Sequence, residues 1–160
     1  MNAVLSTWNA ADEASATEAM RACCGAKRWA AAMVALRPLA TIGELSVAAD
    51  RLWSTMEEAD WMEAFACHPR IGERKANHSS KQSAAEDAAS KVLAELAAGN
   101  ALYEKRFGFT YIVCATGKSA EEMLAILKGR LANDRAVELR EAAEQQRQIT
   151  QIRLGKWLVE

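Results

Sequence analysis

Apolar residues recur at helical spacing along almost the whole chain, and the pattern fails in two places. It predicts helices at about 10–22, 26–36, 45–56, 57–67, 83–98, 101–106, 119–131 and 134–159. S/T-x-x-E signatures stand at Thr41/Glu44, Ser54/Glu57, Ser83/Glu86 and Ser119/Glu122. In each, a hydroxyl and a carboxylate can satisfy the first free N–H groups of a helix reciprocally. Pro38 ends the second helix and Pro69 the fourth, since proline lacks an N–H and disfavours helical geometry in the residue before it.

The first interruption, 69–82, reads PRIGERKANHSSKQ. Its basic residues Arg70, Arg74, Lys75 and Lys81 face the single acid Glu73, and apolar content is almost nil, so it reads as a polar loop of the kind that often carries function. The second, 107–117, reads FGFTYIVCATG. An aromatic and β-branched run bounded by glycines suits a buried, extended stretch. No repeat or linker divides the sequence, so a single domain over 1–160 is expected.

Composition narrows the class. The chain has 160 residues, 51% of them apolar, with eight Gly, two Pro and an abundance of Ala, the strongest helix former. So few turn residues argue against a many-stranded sandwich or barrel and for an all-α domain of about eight helices. A net charge of −1 with dispersed Lys and Arg gives no basic stripe, so nucleic acid is not an expected partner. No apolar run approaches the roughly 18 residues of a membrane span, and the N-terminus lacks the pattern of a leader. A cytoplasmic protein without a membrane partner is expected. Cys23, Cys24, Cys67 and Cys114 lack zinc-site spacing and are expected to be reduced and buried, with no metal.

Few residues offer chemistry. His68 falls at the C-terminal end of the amphipathic stretch 60–67, where the helix dipole favours its imidazolium and its titration lies near neutrality. It can exchange protons there, or simply bond the last carbonyls of the helix. His78 reads as solvated. Glu86 reads first as a cap. Arg153 lies on an apolar stripe with Ile149 and Trp157, so its guanidinium either snorkels outward or meets an anion. Gly117-Lys118-Ser119 is no phosphate loop, because Ile112 stands where the leading glycine belongs. Cys67 and His68 are too close in sequence to align as nucleophile and base.

Together the segments resemble one family, the 2-oxo-4-hydroxy-4-carboxy-5-ureidoimidazoline (OHCU) decarboxylases of urate degradation. The resemblance rests on HPRIG at His68–Gly72, S-x-x-E at Ser83–Glu86, and N-x-x-Y-x-x-R-F-G-F at Asn100–Phe109 leading into Ile112-Val113-Cys114. It continues through R-L-x-N at Arg130–Asn133, Glu138, and I-x-x-x-R-L at Ile149–Leu154. It covers about 35–157, and the N-terminal quarter is only loosely similar.

The resemblance implies an all-helical homodimer that decarboxylates OHCU to (S)-allantoin without a cofactor. It makes His68 the proton carrier, Glu86 its acidic partner and Arg153 an anchor for an anionic or carbonyl group. Pro69, Ser83 and the backbone of Tyr111, Ile112, Val113, Cys114 and Ala115 would line the substrate. The chemistry is consistent: the carboxylate leaves a carbon beside a C=N bond, which receives the electron pair, so no external electron sink is needed. Asp87 replaces the usual Gln after the glutamate, exchanging an amide donor for a group that only accepts when ionised. Thr110-Tyr111 replaces the usual Pro-Phe, which frees an N–H and adds a phenol. The alternative from another class is a non-catalytic helical binding domain that retains this scaffold.

Overall fold

The computed structural model describes residues 1–71 and 84–160, with only the backbone for 84–87. Among the described residues there are eight helices and no strand: α1 (Ala3–Ala10), α2 (Glu13–Cys23), α3 (Lys27–Ala35), α4 (Ile42–Ser54), α5 (Glu58–Ala66), α6 (Ala84–Phe107), α7 (Ala120–Arg130) and α8 (Arg135–Trp157). The all-α expectation holds. Two compact units emerge, one made of Met1–Cys67 with Ala143–Glu160 and the other of His68–Ala142. None of the described helices is long and apolar enough to cross a membrane.

Several helix ends differ from the sequence pattern, each for a local reason. The helix expected over 10–22 is α2 and starts later, because Asp12 opens it by accepting from the Ser15 N–H at 2.7 Å, while α1 over Ala3–Ala10 was not expected. Arg37 closes α1, donating from Nη1 to the carbonyls of Trp8 and Ala11 at 2.7 and 2.8 Å. Conversely, the segments expected at 83–98 and 101–106 are one helix, α6. Gly99 does not break it. A Cβ there would stand 2.6 Å from Leu127 Cδ2, so the glycine lets α6 and α7 approach closely.

Two of the expected caps form: Thr41 accepts from the Glu44 N–H and Ser119 from the Glu122 N–H, both at 3.1 Å. Ser54 does not cap. It is the last residue of α4 and donates to the Arg51 carbonyl, while Glu57 opens α5 in a reciprocal box with Asp60. The Ser83 cap, the loop at 72–82 and His78 lie outside the described residues.

In the first unit the core is built on tryptophan. Each indole is a large apolar body with one N–H that needs a partner when buried. Trp8, Trp29 and Trp53 donate to the carbonyls of Ala16, Ala49 and Ala143 at 3.0, 3.1 and 2.9 Å. Leu5, Met20, Met33, Leu45, Phe65 and Leu154 fill the space around them. Removing such a side chain from water is worth roughly 1.5–3 kcal/mol. The C-terminal half of α8 is tied to α4 by Gln151, which donates to the Ser46 carbonyl at 2.9 Å and to Asp50 at 2.8 Å.

In the second unit the core is a ladder of rings, Tyr103, Phe107, Phe109 and Tyr111, with Tyr103 and Phe107 centred 4.7 Å apart. Gly108, at φ 84°, ends α6, and Gly117, at φ 76°, turns the chain toward α7. Between them the chain is neither helix nor strand, and Phe109 and Tyr111 to Cys114 are buried. A buried ion pair holds it instead. Arg130, 6% exposed, meets Glu138, 0% exposed, with 2.6 Å between Nη2 and Oε2. The same carboxylate accepts from the Tyr103 hydroxyl and, at 3.2 Å, from Asn133 Nδ2. Burial works against the Arg130 charge, yet its hydrogen bonds to Glu138 hold its pKa above the ordinary value.

Two outcomes follow for stability. Arg130→Met leaves a buried carboxylate unpaired and should cost about 3–5 kcal/mol in urea unfolding, while pairing it with Glu138→Leu should restore much of that loss. Tyr103 and Tyr111 are the only tyrosines, so phenolate absorbance reports on this cluster alone. Burial pushes Tyr111 up to about 12, and burial with the Glu138 hydrogen bond raises Tyr103 further. Unfolded phenols ionise near ~10, so above that pH the unfolded chain sheds protons the folded chain retains, and stability falls as pH rises. Absorbance at 295 nm should rise only together with loss of helical circular dichroism. Titration of both phenols near pH 10 with intact dichroism would contradict the buried cluster.

Candidate active site

Helix α5 sets the position of His68. Asp60 fixes its start, bonding the Glu57 N–H at 3.0 Å and Arg28 Nη1 at 2.8 Å, and buried Ala64 and Phe65 seat its last turn. Cys67 closes the helix, its N–H donating to the Ala64 carbonyl at 3.2 Å. A Cβ on Gly25 would lie 2.3 Å from Cys67 Sγ, so only glycine permits this approach. His68 follows, half-buried, at the negative end of the helix dipole, where a protonated imidazole is favoured. Exposed Pro69 comes next and bars further helix.

Beyond Pro69 the chain is strapped to α6. Arg70 Nε lies 3.0 Å from Glu104 Oε1, and one turn away the buried Asn100 donates from Nδ2 to the Ile71 carbonyl at 2.7 Å. Asn100 and Tyr103 of the N-x-x-Y element therefore contact two different segments: Asn100 the HPRI segment at Ile71 and Tyr103 the ring of Tyr111. Ser83 and the side chains of Glu86 and Asp87 are outside the described residues.

Arg153 is half-buried on α8 and borders a cleft of about 580 Å³ in the first unit. Arg21 and Lys156 also line it, opposed by the carboxylate of Glu160, and Cys23, Gly25 and Cys67 form part of its wall. Three cations around one concavity suit a small organic anion. Burial pushes the thiols of Cys23 and Cys24 up to about 11, with Arg153 acting in the opposite direction. The expectation that all four cysteines are buried fails at Cys67, which is exposed because it sits past the last turn of α5 at the cleft wall.

The run Tyr111 to Cys114 is buried and Ala115 is exposed. Its phenol is part of the core: the Tyr111 hydroxyl donates to the Met123 carbonyl at 2.9 Å and its ring lies 4.8 Å from the Arg130 guanidinium carbon. The backbone is held at two carbonyls, Ile112 by Arg130 Nη1 and Cys114 by Lys118 Nζ at 2.8 Å. Of the residues singled out in the sequence, Arg153 thus falls in one unit, and His68, Pro69 and 111–115 in the other. Arg21, Gly25 and Lys156 escaped notice, and Cys23 was read only as a reduced, buried thiol. No spacing motif marks them, and only folding brings them to one cleft.

The all-α fold is shared with two solved proteins. One is an OHCU decarboxylase crystallised in the presence of (S)-allantoin, with TM-score 0.76, 34% identity, and coverage of 94% of this chain and 100% of that one. The other is (S)-allantoin synthase, with TM-score 0.73 and 19% identity over 96% of this chain and 53% of that one, a likeness of fold alone. The class is thus an all-helical domain of the OHCU decarboxylase fold. The OHCU decarboxylase family model matches residues 9–155, and the chain belongs to that family.

Relatives agree. The uric acid degradation bifunctional protein TTL of Arabidopsis thaliana is 36% identical over 146 residues, 85% of this chain. This chain spans only 45% of that protein's length. The 2-oxo-4-hydroxy-4-carboxy-5-ureidoimidazoline decarboxylase of Amia calva is 30% identical over 134 residues, covering 78% of this chain and 77% of that protein.

Exposure of Cys67 against burial of Cys23, Cys24 and Cys114 predicts selective thiol labelling. At pH 7.5 a disulfide reagent such as DTNB should label one cysteine per chain rapidly, and Cys67→Ser should abolish that phase. The other three should react only on unfolding. Rapid labelling that persists in Cys67→Ser would refute the assignment.

Proposed function

We propose that this chain decarboxylates OHCU to (S)-allantoin, as one domain over 1–160 and without a cofactor. The observation that carries the reading is the full-length likeness to an OHCU decarboxylase crystallised in the presence of (S)-allantoin, at 34% identity over 94% of this chain. The cation-lined cleft at Arg153 supports it, because the substrate is a small anion whose carboxylate and ring carbonyls match a guanidinium's fork of donors. His68 carries the proton, Glu86 sets its charge and tautomer, and Arg153 anchors the substrate. Pro69, Ser83 and the backbone from Tyr111 to Ala115 line it, and Asp87 stands beside Glu86 as an additional contact.

In the reaction the bond to the carboxylate breaks and carbon dioxide leaves. The electron pair passes through the adjacent C=N to its nitrogen, which takes a proton and leaves an enol; the enol hydroxyl then gives up its proton as it becomes the ring carbonyl, and a proton delivered to one face of the ureido-bearing carbon creates the S centre. His68 at the end of α5 can take and return protons near neutral pH. The resemblance also supports a homodimer in the cytoplasm, acting on a small molecule rather than on nucleic acid or membrane.

The test is stereochemical. Urate is oxidised and hydrolysed to OHCU in situ, and the circular dichroism of allantoin is followed. The protein should accelerate formation of the S enantiomer over the unaided, racemic decay. Product at the unaided rate and without optical activity would refute the proposal and leave a non-catalytic helical domain. His68→Asn should lower kcat by at least ~10². Near-normal turnover in that variant would remove His68 from the chemistry even if the activity stands.

A further inference from the structure

We infer that Arg130 is a positioning residue for the reaction, acting through the carbonyl of Ile112. This rests on the proposed function, in which the backbone from Tyr111 to Ala115 meets the substrate. That backbone belongs to no sheet and to no helix, so nothing in its own secondary structure fixes where its peptide groups point. Arg130 supplies the fixed reference.

The guanidinium is planar, and its two edges do different jobs. Nε and Nη2 face Glu138, with Nε 2.7 Å and Nη2 2.6 Å from Oε2, while Nη1 donates to the Ile112 carbonyl. Since the carboxylate grips one edge, the direction of the remaining N–H groups is set. Glu138 is itself immobilised by the Tyr103 hydroxyl and by Asn133. The rings of Tyr111 and Tyr103, 4.8 and 5.8 Å from the guanidinium carbon, bracket it further. A charge this buried is a costly way to stabilise a fold, since a well-packed apolar replacement is often as stable. What an apolar group cannot do is hold a carbonyl at a set place and angle. Lysine cannot do so either while serving Glu138, because its ammonium is a single point charge on a flexible stem.

Arg130→Lys separates this role from mere stability. It keeps the charge opposite Glu138 but loses the second edge of the fork. The variant should fold, as judged by helical dichroism. Amide exchange at 111–115 should speed up by at least ~10-fold, and kcat/KM should fall by at least ~10-fold, with a lower excess of the S enantiomer, as expected when peptide groups beside a substrate shift by about 1 Å.

A folded Arg130→Lys protein with wild-type exchange, kcat/KM and enantiomeric excess would overturn the inference. If that variant fails to fold, Tyr103→Phe removes only one bond to Glu138 and should show the same changes, smaller, at roughly 3-fold. Unchanged values there would likewise overturn it. Should the wild-type protein fail to hasten (S)-allantoin formation, the proposed function falls, while the exchange measurement still decides whether Arg130 anchors the segment.

Discussion

The second unit depends on an ion pair taken out of water. Arg130 and Glu138 are both almost fully buried, and an isolated charge in either place would be prohibitive. Each is tolerated only because the other is there and because Tyr103, Asn133 and the Ile112 carbonyl occupy the remaining donors and acceptors. The group is thus satisfied as a set. It joins the end of α7, the start of α8, the last turns of α6 and the 111–115 run, which no continuous hydrogen-bond ladder could link.

Elsewhere the structure relies on small residues where backbones meet. Gly99 lets α6 pass close to Leu127, and Gly25 lets the chain after α2 pass close to Cys67. The second contact lies next to the proposed proton carrier, because Cys67 immediately precedes His68. A helix end is a natural place for a proton carrier: its dipole favours the imidazolium, and proline at the next position stops the helix. In the first unit, three indole N–H groups bonded to carbonyls give the tryptophans definite orientations as well as apolar bulk.

Much of the fold was legible in local pattern. Helical periodicity found the long elements, Thr41 and Ser119 were recognisable caps, and the centre of the FGFTYIVCATG run, Tyr111 to Cys114, read correctly as buried. The misreadings share a cause. Gly99-Asn100 resembles a break, but the glycine fits a neighbouring helix and the asparagine binds Ile71, neither of which is near in sequence. Ser54 resembles a cap, but Glu57 with Asp60 offers the better box three residues on. Candidate chemistry was legible at His68 and Arg153 because each is unusual where it stands. Arg21, Gly25 and Lys156 were not, since an ordinary residue becomes part of a cleft only through what packs beside it.

By itself the sequence determined the helical class, the stop at Pro69 and the family to which the chain belongs, since propensity, capping and motif spacing act over a few residues. Tertiary structure alone decided that Arg130 and Glu138 are one buried pair, that Cys67 is exposed, and that Arg153 shares a cleft with Arg21 and Lys156. Those outcomes turn on burial and on contacts between distant segments. A charge separated by eight positions from its partner is unremarkable in the chain, and becomes decisive once packing removes the water around both.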